Sequence, residues 1–178
     1  TTKNHTYQRT LGQSANSYSF DIKISGLVTS GSGYTANFTY KYPNNDAANS
    51  TKTYSGSSDL SSGYLVISKS QSNAGVYNII LKSVSNSNYK LPVSGLTSTL
   101  NIAKKIVTVS WGTTSFVYNA QNQGPKPTVT SANSGGDTIN FTVTGNSYKA
   151  VGNYTATITG VDNSNYTIQG ATGISQSW

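Results

Sequence analysis

Residues 74–91 read AGVYNIILKSVSNSNYKL, and residues 151–168 read VGNYTATITGVDNSNYTI. Gly75, Tyr77, Val84, Asn86, Ser87, Asn88 and Tyr89 return without a gap as Gly152, Tyr154, Val161, Asn163, Ser164, Asn165 and Tyr166, 77 residues later. A repeat of this kind outranks every local signal, because each copy must be a folding unit in its own right. Upstream, one residue of slippage aligns Phe38-Thr39-Tyr40 with Phe116-Val117-Tyr118 and Asp59 with Asp137. The period suits a small sandwich of strands about 5–6 residues long. The expected organisation is two all-β, immunoglobulin-like antiparallel sandwiches in tandem, residues 19–103 and 104–178. Residues 1–18 form a polar tail or an extra strand.

Alternation carries the strand assignment. In the second copy Ile106-Val107-Thr108-Val109, Phe116-Val117-Tyr118, Thr128-Val129-Thr130, Thr138-Ile139-Asn140-Phe141-Thr142-Val143-Thr144, Tyr154-Thr155-Ala156-Thr157-Ile158 and Tyr166-Thr167-Ile168 alternate apolar with small polar residues. A period of two means one face buried and one wet. Asn133-Ser134-Gly135-Gly136-Asp137 and Asp162-Asn163-Ser164-Asn165 read as turns between them. Gly173 to Trp178 lies where a last strand of the second copy would run. In the first copy Phe20-Ile22-Ile24, Phe38-Thr39-Tyr40, Tyr64-Leu65-Val66-Ile67, Tyr77 to Leu81, Tyr89-Lys90-Leu91 and Thr97 to Ile102 follow the same rule. Helix is disfavoured: glutamate is absent, and Ser, Thr and Asn fill about two-fifths of the chain.

The pattern Lys104-Lys105-Ile106-Val107-Thr108-Val109, Phe116-Val117-Tyr118-Asn119, Gly135-Gly136-Asp137-Thr138, Ala150-Val151-Gly152-Asn153-Tyr154 and Asn165-Tyr166 resembles the MBG/YDG-type immunoglobulin-like repeats of bacterial cell-surface adhesins. The resemblance runs through the second copy and, in the first, mainly from Phe38 onward. It implies a non-catalytic extracellular segment at the bacterial cell surface or wall, acting as stalk or spacer beside further immunoglobulin-like repeats. Glycan, mucin or a teichoic-acid-like polyanion is the ligand class expected. A self-assembling surface-layer or wall-coat domain is the alternative.

The residue inventory argues against chemistry that needs a constellation. Cysteine is absent, which removes disulfides and thiolate metal sites. His5 is the one histidine and sits in a polar N-terminal segment expected to be loose, so a Ser-His-Asp arrangement has no anchored base. The carboxylates are Asp21, Asp46, Asp59, Asp137 and Asp162. Asp59 and Asp137, aligned by the repeat, are expected to hold nearby backbone amides in turns. Asp162-Asn163-Ser164-Asn165 offers oxygens to a cation, but its counterpart begins with Ser85, so turn stabilisation is the expected role. Asp21 and Lys23 are expected on the outward face of one strand, away from any Lys-Asn crosslink. No catalytic residue, cofactor or metal is expected.

The net charge of +7 comes from scattered lysines with Arg9 as the one arginine, a distribution that does not suit nucleic-acid recognition. No apolar run approaches the ~20 residues that span a bilayer and no signal peptide is visible, which reads as a soluble segment without membrane insertion. Tyr77 and Tyr154, each two residues after a glycine at a strand start, resemble tyrosine corners, with the ring in the core and the hydroxyl on backbone. Tyr18, Tyr34, Tyr42, Tyr54, Tyr64, Tyr118 and Tyr148 form a pool from which a sugar-stacking platform could be drawn; which of them face a ligand is open.

Overall fold

The computed structural model describes residues 1–43, 48–129, 135–169 and 174–178. Asp46, Thr130, Gly173 and the Asn133-Ser134 part of an expected turn lie outside the described residues. The protein is essentially all-β, with strands and a single-turn 3-10 segment at Ser57–Asp59, and no α-helix among the described residues. It divides into two compact units: Thr1–His5 with Ser17–Ile102, and Thr6–Asn16 with Ala103–Trp178.

The first unit holds two sheets. One runs β1 (Thr2–Thr6), β8 (Thr97–Ala103), β7 (Gly75–Val84), β3 (Ala36–Lys41), β4 (Ser50–Tyr54), each beside the next; the other runs β2 (Tyr18–Ile24), β6 (Tyr64–Gln71), β5 (Leu60–Ser61). Alternate residues point inward: Phe20 and Ile22, Phe38 and Tyr40, Leu65 and Ile67, Ile79 and Leu81, Leu100 and Ile102 are all buried. Each such side chain contributes roughly 1.5–3 kcal/mol by leaving water, which sets the facing of every strand. His5 is not loose: it lies in β1 and its ring stacks on Tyr18 at 4.1 Å. On β2, Asp21 and Lys23 point away from buried Phe20 and Ile22, and the Lys23 ammonium lies 5.6 Å from the Tyr64 ring.

The second unit has smaller sheets: β12 (Phe141–Thr144), β13 (Thr155–Val161) and β15 (Ser175–Ser177) in one, β10 (Val109–Trp111) with β11 (Pro127–Val129) in another. The run Ile106 to Val109, read as one strand, is broken at Thr108. Its first part, β9 (Lys105–Val107), pairs in parallel with β14 (Tyr166–Ile168), while its second part pairs with β11. Parallel pairing here needs no local turn, because almost the whole unit intervenes between the two strands. Val107, Pro125, Ala156, Ile158 and Tyr166 fill the core, joined by Tyr7 from the N-terminal segment.

Neither Phe116-Val117-Tyr118 nor Tyr89-Lys90-Leu91 is a strand, the latter because the Tyr89 amide closes the turn on the Asn86 carbonyl, and the upstream half of the repeat alignment is corrected by the strand register. In the first unit Phe38 faces Val84, Thr39 faces Ser83, and a bulge follows before Tyr40 faces Leu81. In the second, Phe141 faces Val161, Thr142 faces Gly160, and the same bulge precedes Val143 against Ile158. Asn37 and Asn140 end the two ladders alike, their carbonyls accepting from Ser85 and Asp162. Thr35-Ala36-Asn37-Phe38-Thr39 is therefore matched by Thr138-Ile139-Asn140-Phe141-Thr142, and Asp137 stands opposite Tyr34 rather than Asp59. The units share this three-stranded core, but only in the first do β4, β5 and β6 intervene between its first strand, β3, and the strand that carries Tyr77, β7.

Candidate functional site

The two glycine-tyrosine pairs are built alike. Tyr77 donates its hydroxyl to the Asn73 carbonyl and Tyr154 to the Ala150 carbonyl, each at 3.0 Å and four residues back. The ring folds over the glycine two residues earlier, so a Cβ at Gly75 or Gly152 would meet it at 3.0 Å. Neither ring enters the core; both are half-buried, because folding back on the chain leaves the outer face to its neighbours. The neighbours differ. Across the ladder Tyr77 faces fully buried Leu100, whereas Tyr154 exchanges both backbone hydrogen bonds with Trp178. Six residues before each tyrosine stand Gln71 and Tyr148.

These two exchanges turn the second corner into an aromatic cleft. Tyr148 stacks flat on Tyr154 with centroids 4.0 Å apart, Trp178 tilts against Tyr154 at 5.1 Å, and Phe116 meets Trp178 edge-on at 5.5 Å. Tyr118 completes the wall. The cleft has a volume of about 320 Å³, within the range of small-ligand sites. It is also fixed in advance. The Trp178 indole donates to the Gly145 carbonyl, and Gln123 and Tyr148 exchange both backbone hydrogen bonds. The Gln123 amide donates to the Val117 carbonyl and to Asn119 Oδ1, which holds the turn carrying Tyr118.

Phe116 is 36% exposed, Tyr148 44% and Tyr118 59%, so aromatic faces are open to solvent. Among the described lining residues Lys149 carries the one charged side chain, with amides and hydroxyls from Gln123, Asn153, Thr114 and Ser115 around it. Apolar ring faces bordered by polar groups suit a sugar, whose C–H face packs on an aromatic ring while its rim hydroxyls take hydrogen bonds. Comparison with protein-family models, curated proteins and solved structures finds no match for the chain. The site's chemistry therefore rests on its own geometry.

Of the tyrosine pool, Tyr118 and Tyr148 line this cleft. Tyr54 is buried with its hydroxyl on the Val28 carbonyl, Tyr34 packs edge-on against it, Tyr42 bonds Gln71, Tyr18 stacks on His5, and Tyr64 lies under Lys23. Phe116 and Trp178 escaped the sequence reading. The available signal was that aromatics stand at positions 148 and 178 of one copy where the other has glutamine and leucine.

The carboxylates take separate roles. Asp59 accepts from the Ser55 amide and hydroxyl in its turn, and Asp162 from the backbone and side-chain amides of Asn140, each at 2.7 Å. These bonds hold both carboxyls below their ordinary range. Asp137 departs from the expectation of a local turn: it pairs with Arg9 and accepts the hydroxyls of Tyr7 at 2.7 Å and Tyr166 at 2.6 Å. Burial works to raise its pKa, and the three donors outweigh it, leaving it lowered. The same burial, reinforced by the Asp137 charge, raises Tyr7 and Tyr166. With a side chain only 8% exposed and every donor supplied from afar in sequence, Asp137 is a structural clasp.

Proposed function

We propose that this chain is a non-catalytic binding segment of a bacterial surface adhesin, built from two immunoglobulin-like repeats, and that the second repeat contacts glycan through its aromatic cleft. The observation carrying this reading is the set of Tyr118, Tyr148, Tyr154, Trp178 and Phe116 gathered around one preorganised opening. Three of the five, Tyr148, Tyr154 and Trp178, are held by backbone or side-chain hydrogen bonds or by flat stacking, so little ordering of these rings remains to oppose a ligand. The absence of an acidic side chain from the described lining favours neutral or acidic glycans over cationic ligands.

The first repeat serves as the internal comparison. Replacing Tyr148 and Trp178 by the residues of the other corner, Tyr148→Gln and Trp178→Leu, removes the platform while keeping the shared hairpin. On a glycan and mucin array the intact chain is expected to bind, and the double variant to bind at least about tenfold more weakly, the loss typical of buried aromatic anchors. Tyr64→Ala, on the first unit, is expected to leave binding unchanged. Equal binding by the intact chain and the Tyr148/Trp178 variant would remove the cleft from the account.

A further inference from the structure

The matched strands β3 and β12 differ on one side. Each pairs with one strand of its own unit, β7 or β13, through the same register and the same bulge. On its other side β3 is covered by β4, with Ala36 opposite Tyr54 and Phe38 opposite Lys52. β12 has no strand on that side among the described residues. Burial differs in step: Ala36, Phe38 and Tyr40 are buried, whereas their counterparts Ile139, Phe141 and Val143 are half-buried.

The uncovered side is ready to pair. Asn140 turns both its amide and its carbonyl to Asp162, so Phe141, next along the strand, turns both of its groups outward. An unpaired edge is a template for another strand, and proteins guard it with a charge or keep it very short. Among the described edge strands longer than three residues, β1 carries Lys3, β4 Lys52 and β2 Lys23. The run Ile139-Asn140-Phe141-Thr142-Val143-Thr144 carries no charge. With β-branched and aromatic residues at alternate positions, it can lie antiparallel to its own copy without a like-charge contact.

We propose that two copies of this chain associate through β12, antiparallel about a two-fold axis at Phe141, so that each β12 takes beside the other the place that β4 has beside β3. Phe141 then faces Phe141 of the second copy, Ile139 faces its Val143, and two three-stranded sheets become one of six. This register pairs residues whose amides and carbonyls face the edge, and it keeps the half-buried side chains on one face. One short pair of strands buries less than the roughly 1,000 Å² of a stable interface, so the association is weak, with a Kd on the order of 0.1–1 mM. None of these residues lines the aromatic cleft, so the proposal stands apart from the glycan reading.

With a Kd in that range, the full chain followed by sedimentation velocity from about 10 μM to about 1 mM is expected to pass from monomer towards dimer. The Phe141 amide is expected to gain protection from hydrogen exchange over the same range, whereas the Phe38 amide, covered by β4, is protected throughout. Thr142→Lys puts a charge on the exposed face of the edge and is expected to weaken association at least about tenfold, with the tryptophan-reported melting of its unit unchanged. Thr39→Lys, at the matched position of the covered strand, is expected to associate as the intact chain does. Salt at about 0.5 M is expected to strengthen association, because each copy carries a net charge of +7. A chain that stays monomeric at the highest concentration overturns the proposal, as does association without protection at Phe141, undiminished association of the Thr142→Lys variant, or weakening by salt.

Discussion

Asp137 shows how far a single carboxylate reaches when it is buried beside donors. Arg9 and Tyr7 arrive from more than a hundred residues away in sequence, and Tyr166 from the other end of the same unit. Asp137→Ala removes the carboxylate that pairs with Arg9 and accepts the hydroxyls of Tyr7 and Tyr166; because Arg9 is partly exposed, the cost should be about 2–3 kcal/mol rather than the upper range for buried pairs. Trp111 and Trp178 both lie in the second unit, so urea unfolding followed by tryptophan fluorescence reads that unit directly. The pH dependence has two limbs. Asp137 is lowered in the fold, so its contribution is complete above about pH 4 and disappears as pH falls through the lowered value. Tyr7 and Tyr166 are raised, so theirs is complete below about pH 10 and disappears as pH rises through the raised values. Asp137→Asn should flatten the acid limb of a stability profile measured by the same fluorescence. Ala120 is a second residue-scale case: its φ of 63° is a left-handed conformation that costs an alanine roughly 1–2 kcal/mol. Ala120→Gly should raise the urea midpoint of the second unit by an amount equivalent to about 0.5 kcal/mol, after the greater freedom of glycine in the unfolded chain is subtracted.

At the scale of elements, the repeated Gly-x-Tyr start of β7 and of the turn into β13 is one device used twice. The glycine has no Cβ, the tyrosine lies over it, and the hydroxyl closes on the carbonyl four residues back. Tyr154→Phe should lower the stability of the second unit by about 1 kcal/mol, the net value of one hydrogen bond. Tyr154→Ala should lower it by about 2–3 kcal/mol, less than for a fully buried ring because the tyrosine is half-exposed. Gly152→Ala should fall between them, since its new methyl forces the ring away. Thermal melts followed at the tryptophans would order these three variants. The strand equivalence is tested by Asn140→Ala and Asn37→Ala: the carbonyls that end the two ladders are backbone and survive, so each change should cost less than about 1 kcal/mol beyond its own side-chain hydrogen bonds.

At the scale of the whole molecule, the chain passes from one unit to the other three times, after His5, after Asn16 and after Ile102. The first sixteen residues serve both units. Thr1–His5 supply β1 at the edge of the first, and Thr6–Asn16 bring Tyr7 and Arg9 to the second. Deleting residues 1–16 should therefore lower the melting of both, with the tryptophan-reported unit losing the Asp137 clasp and falling by at least as much as Asp137→Ala. A truncated chain with unchanged fluorescence melting would show that the clasp adds nothing to stability.

Periodicity and composition alone determined that this chain is all-β, and the repeated GxY and NSNY segments determined where β7 and β13 run and how the turns after them close. These are local: alternation selects a face, and Asn86 and Asn163 close their turns on amides two residues away. What only the tertiary structure decided is everything that depends on partners distant in the chain. The sequence rule that made Phe116-Val117-Tyr118 a strand is sound for a segment with a neighbour to pair with, but no strand among the described residues pairs with it, and the rings of Phe116 and Tyr118 became a wall of the cleft instead. Asp137 looked like a turn residue because its donors, Tyr7 and Arg9, lie in a stretch that carries no periodic pattern. Tyr148 and Trp178 could be read as aromatic, but only the ladder that brings residue 178 beside residue 154 makes them one surface, since burial and stacking are properties of pairs that chain order does not record.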